Sequence, residues 1–262
     1  MRASSLAEAI DACARGFMPY AGATELVPAM DMGLLRPTGI VSIRNVPELR
    51  DITVDVDGHL RIGAAATHRS VAKSPVIHSA LPLLAEIADR IGNIRVRAAG
   101  TVGGNVAFAE PRSDLITILS ALRATIHIAG ARGTRTLGIG EFILGAYDTD
   151  LAEDELLAAI EVDTGVDFAT FEKFVGAERP IVAAALVRRG PSYTVAVGAV
   201  GEQLYLEDFG SLEEIDSAAV AAAVDVVPDL AGGEEYKRHL AKVAVGRCLA
   251  TARTDHQGRQ WR

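Results

Sequence analysis

The stretch Arg97-Ala98-Ala99-Gly100-Thr101-Val102-Gly103-Gly104-Asn105-Val106-Ala107-Phe108-Ala109-Glu110-Pro111-Arg112-Ser113-Asp114 decides how the chain is read. Gly100, Gly103 and Gly104 crowd into five positions. Without a Cβ, glycine lets backbone N–H groups approach a ligand closely. Successive N–H groups then form a concavity suited to an anion such as phosphate. The same run also reads as a turn that only reverses the chain. It matches neither G-x-G-x-x-G nor a Walker A loop, because no Gly-Lys-Ser/Thr follows. Ser113 is placed to cap a helix over 114–122, whose Leu115, Ile116, Leu119 and Leu122 recur at helical spacing. Asp114 in its first turn suits the helix dipole.

A second glycine turn lies near the start. A strand over 17–20 runs into Ala21-Gly22-Ala23-Thr24-Glu25-Leu26 and then a helical stretch over 27–35. Strand, glycine turn and helix present N–H groups at a helix start. Taken alone, Gly22 also fits a simple strand-to-helix turn.

Together the two loops resemble the FAD-containing medium subunits of molybdenum hydroxylases, the family of carbon monoxide and xanthine dehydrogenases. Thr101-Val102-Gly103-Gly104-Asn105 followed by Pro111-x-Ser113-Asp114 is similar to that family's second flavin loop. Residues 21–25 resemble its first pyrophosphate loop, with Ala23 where a second Gly is usual. If position 23 needs a positive φ, Ala there is strained by about 1 kcal/mol. Ala98-Ala99 stand where the family often has Asn. Further family segments follow in order: Gly63-Ala64 before Thr67, Tyr147-x-Thr149-x-Leu151, and the late Lys173.

The resemblance implies an α+β fold: two α/β subdomains clasping FAD, of the vanillyl-alcohol-oxidase (PCMH) type, then a small α+β domain with a three-stranded antiparallel sheet and helices. The expected boundaries are 1–165 for the FAD-binding domain, with subdomains 1–55 and 56–165. Residues 166–255 follow as the C-terminal domain, and 256–262 as a loose tail. It implies FAD contacts from Pro19, Tyr20, Ala21, Gly22, Ala23, Thr24, Glu25 and Leu26, then from Thr101, Gly103, Gly104, Asn105, Ser113, Asp114, Leu157 and Lys173. A Cβ at Gly103 or Gly104 is expected to take the phosphates' space and leave the fold intact. It implies an iron–sulfur small subunit and a molybdopterin large subunit as partners, and NAD, a quinone or oxygen as acceptor. A free-standing flavoenzyme on this fold, or a binding protein that has lost the flavin, are the alternatives.

Read without the resemblance, several residues keep a plainer role. Lys173, in a strand over 170–174, reads equally as a site residue or a solvated one. Arg95 and Arg97 read as alternating on a strand, facing either phosphate or solvent. His68 reads as structural, at a helix start. Leu157 reads as strand core outside the family context.

The 262 residues carry a net charge of -8, which disfavours nucleic acid and anionic membranes. No apolar run is long enough for a membrane span, and the amphipathic start (residues 1–16) lacks the apolar core of a signal peptide. Cys13 and Cys248 are the only cysteines, so no iron–sulfur or structural zinc ligand set exists in these residues. Reduced thiols and a cytoplasmic place are expected. None of the six histidines forms a metal pair with a glutamate at helical spacing, so no metal is expected. The remaining elements expected are helices over 5–15, 81–91, 211–227 and 234–253, a hairpin at Asp57-Gly58, a strand over 124–129, a strand leading to Val162, and strands over 181–188 and 193–200.

Overall fold

The structure, a computed structural model, describes residues 1–176 and 179–256. The expected tail lies outside the described residues from 257 onward. The chain divides into two compact units. One holds Met1–Ala109 and Arg123–Thr164; the other holds Glu110–Leu122 and Gly165–Arg262. The helix after Ser113 therefore belongs with the C-terminal residues.

In the first unit, Ser5 caps the helix Leu6–Ala14 and accepts from the Glu8 N–H. Glu8 in turn accepts from the N–H and hydroxyl of Ser4, the residue before the cap, and not from the Ser5 N–H that a capping box over Ser5 and Glu8 would use. Met18–Tyr20 pairs in parallel with Ile40–Ser42. The helix between them is Leu26–Asp31, shorter than expected, and Gly33 at φ 72° follows its end. A five-stranded sheet follows, in the order Ile52–Val54, His59–Gly63, Glu155–Asp163, Thr125–Gly130, Gly133–Gly138. The Asp57-Gly58 hairpin joins its first two strands as expected, and the edge strand Gly133–Gly138 was not read from the sequence. The core under the first helix is built from Ala9, Ala12, Cys13, Val41, Val46, Leu49, Leu156 and Ala158.

Arg95 to Arg97 do not form a strand. They lie in the helix Ile94–Ala99, whose cap Asn93 accepts from the N–H groups of Arg95 and Val96. The apolar alternation was too short to define a period, and the Asn cap outweighs it. The next helix is Val102–Phe108, so the glycine loop is a helix start with Thr101 as its cap.

In the second unit the sheet is antiparallel, ordered Phe168–Val175, Pro180–Arg189, Ser192–Gly198, Tyr205–Phe209. It has four strands, one more than the resemblance implies. Helices Asp114–Ala121 and Glu234–His256 pack on it. The expected helix over 211–227 is instead a 3-10 turn, Leu212–Glu214, and a short helix, Ser217–Ala223, started by Asp216. Leu186, Val195, Val197, Val220, Ala244 and Cys248 share this unit's core.

Candidate functional site

In the first unit, the sequence brings its two glycine segments together through small residues. An added Cβ on Gly22 would stand 2.3 Å from the Ala99 carbonyl oxygen and 2.7 Å from the Gly100 Cα. Only glycine allows that approach, so the loop at 21–25 is seated on the turn that precedes Thr101. Pro19 through Leu26 are all half-buried. Ala23 sits at φ 57°, the left-handed region, so the strain expected for Ala in place of Gly is present. Ala23 and Glu25 give their carbonyls to the following helix. Among the described residues, the N–H groups of Gly22, Ala23 and Thr24 donate to no other group. Consecutive free N–H groups around a left-handed residue form an anion nest.

The second segment is built differently from the sequence reading. Val102 donates its N–H to the Ala66 carbonyl and Gly103 to the Ala64 carbonyl, both at 3.0 Å. Gly104 donates to the Thr101 hydroxyl at 3.2 Å, and Asn105 to the Thr101 carbonyl. These N–H groups are therefore held by protein. The expected cradle of exposed donors is corrected to a helix start docked on Gly63-Ala64-Ala65-Ala66. Gly103 is a packing glycine: a Cβ there would lie 2.4 Å from the Ala64 Cβ and 2.6 Å from its Cα. The expectation that a side chain at Gly103 leaves the fold intact is overturned, because the space belongs to Ala64. Gly104 is different. It is exposed, and an added Cβ would meet only the Thr101 hydroxyl, at 3.0 Å.

Arg97 also has a structural use. Its guanidinium donates to the carbonyls of Ile91 and Gly92, at 3.1 and 2.9 Å, and so closes the end of the preceding helix. His68 is 2% exposed beside Gly100, and its Nδ1 has no partner among the described residues. Burial holds its pKa down to about 4, so it is neutral at physiological pH. Leu157 is buried in the sheet opposite Ile128, next to a bulge where Ala158 is the extra residue.

In the second unit, Ser113 accepts from the Ile116 N–H and starts the helix Asp114–Ala121, as its sequence suggests. Asp114 is buried and its Oδ2 receives a 2.6 Å bond from the Lys173 ammonium. Lys173 is thus a paired residue and not a solvated one. Burial raises the Asp114 pKa, and Lys173 opposes that rise. The other oxygen, Oδ1, is buried and has no partner among the described residues. A buried carboxylate oxygen without a donor costs free energy unless a ligand hydroxyl or N–H supplies one. Just upstream, buried Glu110 is held by Arg112 at 3.2 Å and Arg179 at 2.6 Å, which fixes the turn before Ser113. Neither arginine was singled out in the sequence, where isolated charges give no signal of pairing.

The free N–H groups at 22–24 fit a pyrophosphate, and the orphaned Asp114 oxygen fits a hydroxyl donor. Among the described residues no group of His, Cys, Asp and Glu is arranged to hold a metal ion, and no helix is long and apolar enough to cross a membrane. Burial pushes the Cys13 thiol up to about 11 and raises that of Cys248 further, so neither is a reactive thiolate.

Comparison with known proteins identifies the family and the fold. Residues 1–163 match the family described as the FAD binding domain in molybdopterin dehydrogenase. The chain is 30% identical over 253 residues to the carbon monoxide dehydrogenase medium chain of Hydrogenophaga pseudoflava, covering 88% of each. It is 28% identical over 250 residues to the glyceraldehyde dehydrogenase medium chain of Sulfolobus acidocaldarius, covering 93% of this chain and 84% of that one. Among solved structures, quinoline 2-oxidoreductase from Pseudomonas putida 86 superposes with a TM-score of 0.86 at 26% identity, over 96% of this chain and 95% of that one. With the family match over its first 163 residues, the chain belongs to the FAD-binding subunits of the molybdenum hydroxylases.

Proposed function

We propose that this chain is the electron-transfer subunit of a molybdopterin-dependent hydroxylase or dehydrogenase. It receives electrons from an iron–sulfur partner subunit and passes them to an external acceptor such as NAD, a quinone or oxygen. The observation that carries the reading is the pairing of a free N–H nest with family membership, in a chain whose two cysteines are both buried. Relatives named as medium chains support a hetero-oligomer with small and large subunits. The reading places the complex in the cytoplasm, where such thiols stay reduced.

When bound, FAD supplies the redox chemistry, and the protein orients and tunes it. The N–H groups of Gly22, Ala23 and Thr24 are assigned to the pyrophosphate, within the loop Pro19, Tyr20, Ala21 to Glu25 and Leu26. Gly104 and Asn105 line the partly open side of their helix start, buried Thr101 caps it, and Gly103 contributes by its close packing. Asp114 Oδ1 accepts from a sugar-chain hydroxyl. Ser113 fixes that aspartate by capping its helix, and the Lys173 ammonium opposes the rise in its pKa that burial causes. Leu157 forms an apolar backing.

Asp114→Ala tests the assignment. Losing a charged acceptor is worth about 1.5–3 kcal/mol, or roughly ten- to a hundredfold in affinity. FAD titration of flavin-stripped full chain, followed by absorbance, reads the change, with circular dichroism checking the fold. Equal affinity in the variant removes Asp114 from the flavin site.

A further inference from the structure

The first unit carries a strained tyrosine, paired with a helical phenylalanine, that the cofactor assignments above do not use. Tyr147 has φ 59° and Ala109 has φ 49°, and the Tyr147 N–H donates to the Ala109 carbonyl at 2.9 Å. Two hydrogen-bonded neighbours thus both occupy the left-handed region, where glycine is unstrained and a bulky residue is a real outlier. Tyr147 gains little burial in return, since it is 56% exposed. It stands edge-to-face with Phe108, with ring centroids 5.3 Å apart and planes at 74°. Strain held at a half-exposed aromatic points from the outlier to a use.

The position of Phe108 says what that use is. In the helix Val102–Phe108, Val102, Gly103 and Val106 are buried, whereas Gly104, Asn105 and Phe108 are not. Residues three and four apart share a helix face. One face therefore runs from an open glycine, past an amide, to the aromatic pair one turn on. That order matches a polyol linker that ends in a flat ring.

We propose that Phe108 and Tyr147 form one wall against the isoalloxazine ring of the bound flavin, with Tyr147 as a positioning residue for it. The inference rests on FAD being the ligand. A phenol stacked on a flavin quenches its fluorescence by electron transfer, and a phenyl ring does not. The full chain is loaded with FAD and compared with Tyr147→Phe and Tyr147→Gly by flavin fluorescence, visible absorption and FAD titration.

Tyr147→Phe is expected to raise bound-flavin fluorescence severalfold while keeping the shape of the absorption bands. Tyr147→Gly is expected to raise fluorescence, change the band shape and weaken FAD about three- to tenfold, the worth of one aromatic contact. Because glycine relieves the left-handed backbone, this variant stays folded. A merely structural tyrosine would shift thermal stability and leave the flavin spectrum as it was, which overturns the proposal. So would an unchanged spectrum with ADP and FAD weakened alike, which would put the adenine ring at the wall. A wild-type chain that binds no FAD fails the cofactor assignment itself, and the wall fails with it.

Discussion

Ala23 stands in a backbone region where an L-residue is strained by about 1–2 kcal/mol, and its neighbours Gly22 and Thr24 leave their N–H groups free. Ala23→Gly is expected to stabilise the folded chain by about 1 kcal/mol, less the entropy that glycine adds to the unfolded state. Urea unfolding checks this, and a variant less stable than the wild type contradicts it. His68 gives a second residue-level test. Its folded pKa of about 4 lies below the ordinary 6.5, so the unfolded chain takes the proton first as pH falls. The contribution is intact above pH 6.5 and is lost between there and 4, at about 1.4 kcal/mol per pH unit. Urea midpoints across that window should fall more steeply for the wild type than for His68→Gln. Parallel curves would show that His68 has a partner in solution.

At the scale of elements, the helix Val102–Phe108 carries the sharpest distinction, because its two glycines do different work. Gly103→Ala is expected to destabilise by about 1–3 kcal/mol, since Ala64 must move to admit a Cβ. Gly104→Ala is expected to stay folded and gain helix propensity, while narrowing the open side of the helix start. Thermal melts and FAD titration of both variants separate them. A Gly103→Ala chain as stable as the wild type contradicts the packing role. Sequence could not tell these glycines apart, because the contact that separates them, Gly103 against Ala64, spans about forty residues, while Gly104 meets only Thr101. Caps were legible where they are local: Ser5, Ser113 and the Asp57-Gly58 turn all act as their spacing suggests. The 94–99 helix was misread for the opposite reason, since three alternating residues define no period and Asn93 decides the matter. Tyr147 stood out only as part of its family segment, and its contact with Phe108 had no signal, because an aromatic contact across forty residues leaves no local pattern.

At the scale of the whole molecule, the family was legible because several short motifs fall in order along the chain, and the match over residues 1–163 agrees. The exchange of residues 110–122 into the second unit was not legible, because that helix looks like any buried one from its sequence. The central claim is that this chain moves electrons and leaves the organic substrate to its partners. Among the described residues no histidine stands as an evident base beside the glycine segments: His68, which lies against Gly100, is buried and neutral. A proton acceptor at the substrate is what direct oxidation would require. The measurement that tests this most directly is anaerobic stopped-flow absorbance of the flavin-loaded chain mixed with aldehydes and N-heterocycles. The account predicts that the flavin stays oxidised with each of them and bleaches once a reduced iron–sulfur partner subunit is added. Rapid bleaching by any organic substrate, with no partner present, would contradict it and make the chain a flavoenzyme in its own right.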